Sequence, residues 1–267
     1  MTPPRSRVSP RRTRGKNVYS ARVANWREYT DSYSLWEKFS PYLRVRDMHV
    51  ESMRGYEKVL DDGCGIGITT EALLQDPDQS HFVYAVDILA TPIRALRDRL
   101  GEKYPNRWKA YRDDGARLRR KRFPNGSVDG VVSMFTINFV KDWKRYLAEA
   151  ARVTREGGRI SISGPLPDWK TEPIIEAFKQ ELGGNGSLED PETKEKLEIV
   201  TINLMKNKNG RSISEPDPEH IAAILKFDLG YEDIDIKRDG IFAGQSYFLV
   251  GNKQAKEYEV VEHSENL

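Results

Sequence analysis

Val59-Leu60-Asp61-Asp62-Gly63-Cys64-Gly65-Ile66-Gly67 is an apolar run that ends in two acids and then places three glycines at alternate positions. The run from Lys58 to Asp61 reads as a short buried strand, and Thr69 to Leu74 reads as part of a helix. Glycine tolerates positive φ and carries no Cβ, so a turn of this composition lets a ligand lie directly against the backbone. The turn stands at the carboxyl end of the first strand, where open α/β sheets bind their ligands. A dinucleotide fingerprint would need Gly-x-Gly-x-x-Gly, but here the third glycine arrives one residue early and Ile68 holds its place. Asp61 and Asp62 beside a helix N-terminus would also repel phosphate and attract a cation. The turn therefore predicts a cationic ligand rather than a pyrophosphate.

Two further acids extend this pattern. Phe82-Val83-Tyr84-Ala85-Val86 forms a second strand that ends at Asp87, where such folds place an acid for a ribose diol; the alternative is a cap for the next helix. Tyr111-Arg112-Asp113-Asp114-Gly115-Ala116 follows a third strand, Trp108 to Arg112. Asp114 there could accept the exocyclic amine of an adenine; which aspartate does so stays open, with ordinary loop acids as the alternative.

Helical and strand patterns then alternate. A helix runs through Pro92 to Leu100, a fourth strand covers Val128 to Ser133, a helix Trp143 to Val153, and a fifth strand Arg159 to Ser163. This succession predicts a Rossmann-like, doubly wound α/β fold with a mostly parallel sheet covered on both faces. Pro218 to Leu229 reads as a helix closed by Gly230, and Tyr231 to Lys237 with Ser246 to Gly251 as a C-terminal antiparallel strand pair.

The rest divides into appendages. Residues 1–16 are basic, rich in Pro and Ser and free of acids, and predict a flexible arm. That arm is a solvated tail, a nuclear or nucleic-acid-binding segment, or an organellar targeting peptide. Residues 17–54 are expected to form a helical lid, because Trp26, Tyr29, Tyr33 and Trp36 recur at helical spacing on one face. That face packs on the core, covers a ligand pocket, or does both. Residues 55–165 form the cofactor-binding half, 166–215 an inserted cap with helical patterns at Pro173 to Leu182 and Glu192 to Met205, and 216–252 the C-terminal helix and strand pair of the same domain. Residues 253–267 make an acidic tail.

Together these segments resemble the class I S-adenosylmethionine-dependent methyltransferases. The likeness spans Lys58 to about Pro165. It rests on VLDDGCGIG, on YAVD, on DGARL, on VDGVVSMFTINFVKDW after strand four, and on LAEAARVTREGGRISISGP. It implies S-adenosylmethionine as cofactor, with Asp61, Gly63 and Gly65 against its methionine and ribose parts, Asp87 on the ribose diol and Asp114 on the adenine. Cys64, Gly67, Ile88, Gly115 and Met134 complete the implied cofactor site. The glycine turn, the Thr-Glu-x-Leu helix and Asn-Phe-Val after strand four look most like small-molecule methyltransferases of fungal secondary metabolism. Two departures stand out: Asp62, where an apolar residue is commoner, and the basic insert Arg119 to Arg122.

Acceptor-side candidates are Tyr29 and Tyr33 in the lid and Met134, Phe135 and Asn138 after strand four. Asn138 could hold an acceptor or cap the following helix. His220 could act as a base or sit on the surface. His49, His81 and His263 show no partner at a useful spacing, and Cys64 reads as a packing residue rather than a nucleophile. No metal centre is expected.

Composition narrows the classes. No apolar stretch is long enough to span a bilayer, and no apolar core follows the basic N-terminus as a secretory signal requires. One cysteine excludes an internal disulfide and fits a reducing compartment, so a cytoplasmic location is expected, with a nuclear one open from the basic arm. A net charge of +2 is too small to argue for nucleic acid by itself. The expected partner is a small-molecule substrate. A nucleic-acid or protein methyltransferase, or a methyltransferase fold that binds cofactor without transferring a methyl group, are the alternatives.

Overall fold

The computed structural model describes residues 30–207, 214 and 216–255. The expected basic arm, Trp26, Tyr29, Glu215 and His263 lie outside the described residues, as do residues 17–28 of the lid, 208–213 of the cap and 256–267 of the tail.

In chain order the elements are α1 (Ser40–Ser52), β1 (Lys58–Asp62), α2 (Ile68–Gln75), β2 (Phe82–Asp87), α3 (Ala90–Leu100), β3 (Trp108–Arg112), β4 (Val128–Met134), α4 (Trp143–Val153), β5 (Thr154–Pro165), α5 (Thr171–Gly184), α6 (Pro191–Lys206), α7 (Pro218–Ala223), β6 (Tyr231–Lys237) and β7 (Ser246–Lys253). The strands form one sheet of order β3-β2-β1-β4-β5-β7-β6. β1 to β5 pair in parallel, and β7 lies antiparallel between β5 and β6. The central strands are apolar on both faces: Val59, Leu60, Val83, Ala85, Val131 and Val132 are fully buried, as a parallel sheet covered by helices on both sides requires. Strand order reverses between β1 and β4, which opens a crevice at their carboxyl ends.

The lid departs from the single helix its spacing suggests. Tyr33–Lys38 is a 3₁₀ turn, Phe39 is extended at φ −121 and ψ 103, and α1 begins at Ser40 with Pro41 in its first turn. Proline fits a first turn because it has no N–H to donate and a preset φ, so it restarts the helix. Tyr33 and Trp36 still share a face, since three residues complete a 3₁₀ turn.

Lid and cap are one packed body. Trp36 and Phe39 stack on Phe178 of α5, with centroids 5.3 and 4.4 Å apart. The Ser40 amide and hydroxyl both donate to Glu181. On the other side the Arg99 guanidinium of α3 donates to Glu37 of the lid and Glu71 of α2. α1 is pinned to the sheet by His49, whose ring nitrogens lie 2.7 Å from Ser161 Oγ and 2.9 Å from Ser163 Oγ. Burial lowers the His49 pKa to about 3, so the ring is a neutral link. His81 is also buried, with Nδ1 2.9 Å from the Tyr56 carbonyl. Both histidines thus have partners that lie too far away in the chain for spacing to reveal.

The helix expected over Pro218 to Leu229 ends its α-helical part at Ala223 and continues as a π turn, Ile224–Asp228. No helix among the described residues is long and apolar enough to cross a membrane.

Candidate active site

The carboxyl ends of β1, β2 and β4, the lid and the cap enclose one cavity. On the sheet side its wall includes Asp62, Gly63, Gly65, Asp87, Ile88, Asp114, Gly115, Met134 and Asn138. The aromatic part of the wall comes from Tyr33, Trp36 and Tyr42 of the lid, Trp169 of the cap, Phe135 after β4 and Phe242 between β6 and β7. The strand tips and the aromatic chamber therefore share a single space.

The glycine turn is tied to β2. The amides of Gly63 and Cys64 donate to the Val86 carbonyl, at 2.8 and 2.9 Å. Gly65 has φ +53, and a Cβ built there would meet nothing within 4 Å, so its backbone faces open cavity. Asp87 Oδ2 accepts from the Gly65 amide at 3.2 Å and Oδ1 from the Leu89 amide at 2.7 Å. Both oxygens keep further lone pairs for a ligand.

The two adjacent acids of β1 part company, because successive strand side chains point to opposite faces. Asp61 is buried and accepts from the Thr70 hydroxyl of α2 at 2.6 Å. It is absent from the cavity wall, where Asp62 stands instead. Asp62 Oδ2 is buried and has no hydrogen-bond partner among the described residues, while the Asp62 carbonyl accepts from Tyr146 Oη at 3.1 Å. Gly115 makes room for it, since a Cβ there would lie 2.5 Å from Asp62 Oδ1.

Other expected residues are also relocated. Cys64 points into the core around β1 and β2, and burial pushes its thiol well up. Gly67 caps α2, and a Cβ on it would lie 2.8 Å from Leu96 Cγ, so it serves helix packing rather than the cavity. Asn138 does not cap α4, because Asp142 does so by accepting from the Arg145 amide. Its buried Oδ1 has no partner among the described residues. His220 is exposed, sits edge-on to Trp143 at 5.1 Å and is not among the residues that line the cavity. It is not placed to act as a base there. In the basic insert, Arg119 and Arg122 both pair with Asp113, and Arg122 lies over the Tyr111 ring.

Phe242 and Trp169 were not legible as site residues. The one available signal was Gly240-Ile-Phe-Ala-Gly244, a glycine-bracketed apolar link between the last two strands.

Burial raises the Asp87 carboxyl to about 6 and the Asp61 carboxyl to about 7, and it pushes Asp62 well above the ordinary carboxylate range. The native state therefore holds these protons more tightly than the unfolded chain, and the contribution to stability is lost as pH rises through the folded pKa values. The ligand-free protein should melt at a lower temperature at pH 8 than at about pH 5.5. Asp62→Asn should flatten that slope, as a calorimetric scan against pH would show. A steeper loss of stability in the variant at high pH would contradict this charge assignment.

The donor set fits an adenosyl sulfonium cofactor better than a dinucleotide. Carboxylates stand at three strand tips, the glycine backbone is open, and no Lys, Arg or His is among the described lining residues to meet a pyrophosphate.

Residues 60–162 match the family described as "Methyltransferase domain". The chain is 29% identical over 195 residues to a phosphatidylethanolamine N-methyltransferase of Cereibacter sphaeroides, covering 69% of this chain and 89% of that one. It is 28% identical over 143 residues to a nocamycin O-methyltransferase of Saccharothrix syringae, covering 52% of this chain and 50% of that one. The fold resembles the Burkholderia thailandensis 1,6-didemethyltoxoflavin-N1-methyltransferase, solved with 1,6-didemethyltoxoflavin and S-adenosylhomocysteine bound. That match has a TM-score of 0.57 and 18% identity, covering 88% of this chain and 89% of that one. Residues 60–162 thus carry the pattern of a methyltransferase domain, on a fold shared with a methyltransferase solved with S-adenosylhomocysteine.

Proposed function

We propose that the protein moves a methyl group from S-adenosylmethionine to a small-molecule acceptor held under the lid and cap. The observation that carries this reading is the single cavity that joins the strand-tip acids to the aromatic chamber. Relatives named for methylation of phosphatidylethanolamine and nocamycin support a small acceptor.

Gly63 and Gly65 would take the methionine part against their backbone, Asp87 the ribose diol, Ile88 a face of the adenine and Asp114 its amine. Asp114 is already set by its own turn, accepting from the Ala116 amide at 3.0 Å. When bound, the cofactor supplies an electrophilic methyl on a positively charged sulfur. This chain's part is to align the acceptor and keep water out, and such positioning carries much of a displacement's acceleration. Met134, the last residue of β4, and Phe135, the first after it, both line the cavity. Among the described residues of the aromatic half, Tyr33 is half-buried, and desolvation raises its phenol. It stays protonated at neutral pH and accepts from the Tyr42 hydroxyl at 3.4 Å, so it is not a general base.

Calorimetric titration with S-adenosylhomocysteine and with NAD tests the reading. Micromolar binding of the first and none of the second is the expected result. Preferential binding of NAD would overturn it.

A further inference from the structure

Two bulky residues in the cavity wall hold a backbone shape that side chains avoid. Phe135, the first residue after β4, has φ +52, and Phe242, in the link between β6 and β7, has φ +47. Left-handed backbone is disfavoured for a residue with a Cβ, which then crowds the following carbonyl oxygen. Both are locked in by their surroundings. The Phe135 amide donates to the Ser163 carbonyl at 3.0 Å, the Gln245 amide donates to the Phe242 carbonyl at 3.1 Å, and Leu166 donates to Gln245 at 3.0 Å. Strain that is held this firmly gathers where a side chain must be presented.

What is presented is a continuous aromatic wall. The Phe135 and Phe242 centroids are 4.8 Å apart. Phe135 stacks with Tyr42 at an interplanar angle of 20° and 6.0 Å, and Tyr42 stacks with Trp36 at 26° and 5.5 Å. All four residues line the cavity. The acids among the described lining residues are Asp62, Asp87 and Asp114, and no Lys, Arg or His stands there to pair with an anion.

We propose that the acceptor half of this cavity selects a flat, non-anionic aromatic compound, bound against the rings of Phe135, Phe242 and Tyr42. This rests on the methyl-transfer reading and narrows it to a substrate class. Because the Phe135 and Phe242 rings are tilted 51° to each other, a planar ring stacked on one meets the other at an angle, and both arrangements add to its buried area. A saturated ring of the same carbon skeleton gains only the area, and a carboxylate meets acids with no countercharge.

Three probes of one skeleton separate these terms by calorimetry on the full chain saturated with S-adenosylhomocysteine: 2-naphthol, decahydro-2-naphthol and 2-naphthoate. The expected result is that 2-naphthol binds at least tenfold more tightly than either of the others. The planar preference should fall to threefold or less in Phe135→Leu and in Phe242→Leu, each of which keeps an apolar wall. Two variants guard against one failing to fold. Equal affinity for the saturated ring, equal affinity for the anion, or an unchanged preference in folded Leu variants would overturn the inference while leaving methyl transfer intact. If S-adenosylhomocysteine itself fails to bind, the methyl-transfer reading falls and takes this inference with it.

Discussion

Asp87→Ala will weaken S-adenosylhomocysteine binding by tenfold to several hundredfold, in a protein that still folds. The Asp87 carboxylate at the end of β2 faces the cavity and also holds the glycine turn through the Gly65 amide and the start of α3 through the Leu89 amide. A ligand diol adds one or two charge-assisted hydrogen bonds, each worth roughly 1.5–3 kcal/mol. Each 1.4 kcal/mol is about a factor of ten in affinity. Removing the carboxylate also strips two backbone donors of their acceptor, so part of the loss comes from a looser turn. Asp87→Asn separates the shares, since its amide oxygen still accepts a backbone bond while the charge is gone. Calorimetry on both variants decides the matter. Affinity within threefold of the parent, in an Asp87→Ala protein with an unchanged fold, would remove Asp87 from the cofactor site.

Gly63→Ala should be the most damaging single methyl in the molecule. Gly63 has φ +86, and a Cβ built there would lie 2.1 Å from Thr136 Oγ1 and 2.7 Å from Thr136 Cβ. The backbone share is about 1–2 kcal/mol, and forcing an atom into a filled space adds typically 1–3 kcal/mol. A total of about 3 kcal/mol lowers the melting temperature by roughly 6–12 °C in a chain of this size. Cofactor affinity should fall with it, because the shifted turn no longer presents Gly65. Thr136→Gly removes the three atoms nearest to that Cβ and isolates the steric share. The double variant should recover part of the loss and leave the backbone part. A melting temperature for Gly63→Ala within 2 °C of the parent would show that the turn does not need glycine there.

The extent to which the fold was legible follows from how local each signal is. The strands Trp108–Arg112 and Tyr231–Lys237 and the helix Trp143–Val153 coincide with their sequence readings, because burial periodicity and cap residues are written into adjacent positions. The alternation of strand and helix also limits the connections available, and the seven-stranded order follows the expected doubly wound form with its antiparallel pair. The lid was harder. Trp36, Phe39 and Tyr42 were visible as an aromatic run, yet the break at Phe39 reflects packing against Phe178, a residue well over a hundred positions away.

The chain's own order of residues determined the glycine turn, the acid ending the second strand and the parallel scaffold, since each depends on neighbours within a few positions. Only the tertiary structure decided which of Asp61 and Asp62 faces the cavity, that His220 lies outside it, and that Phe135 and Phe242 meet across it. The physical reason is that a strand's alternation says its neighbours point to opposite sides without saying which side holds the ligand. Likewise, a wall assembled from a strand end, a distant link and a lid exists only once long-range packing brings them together.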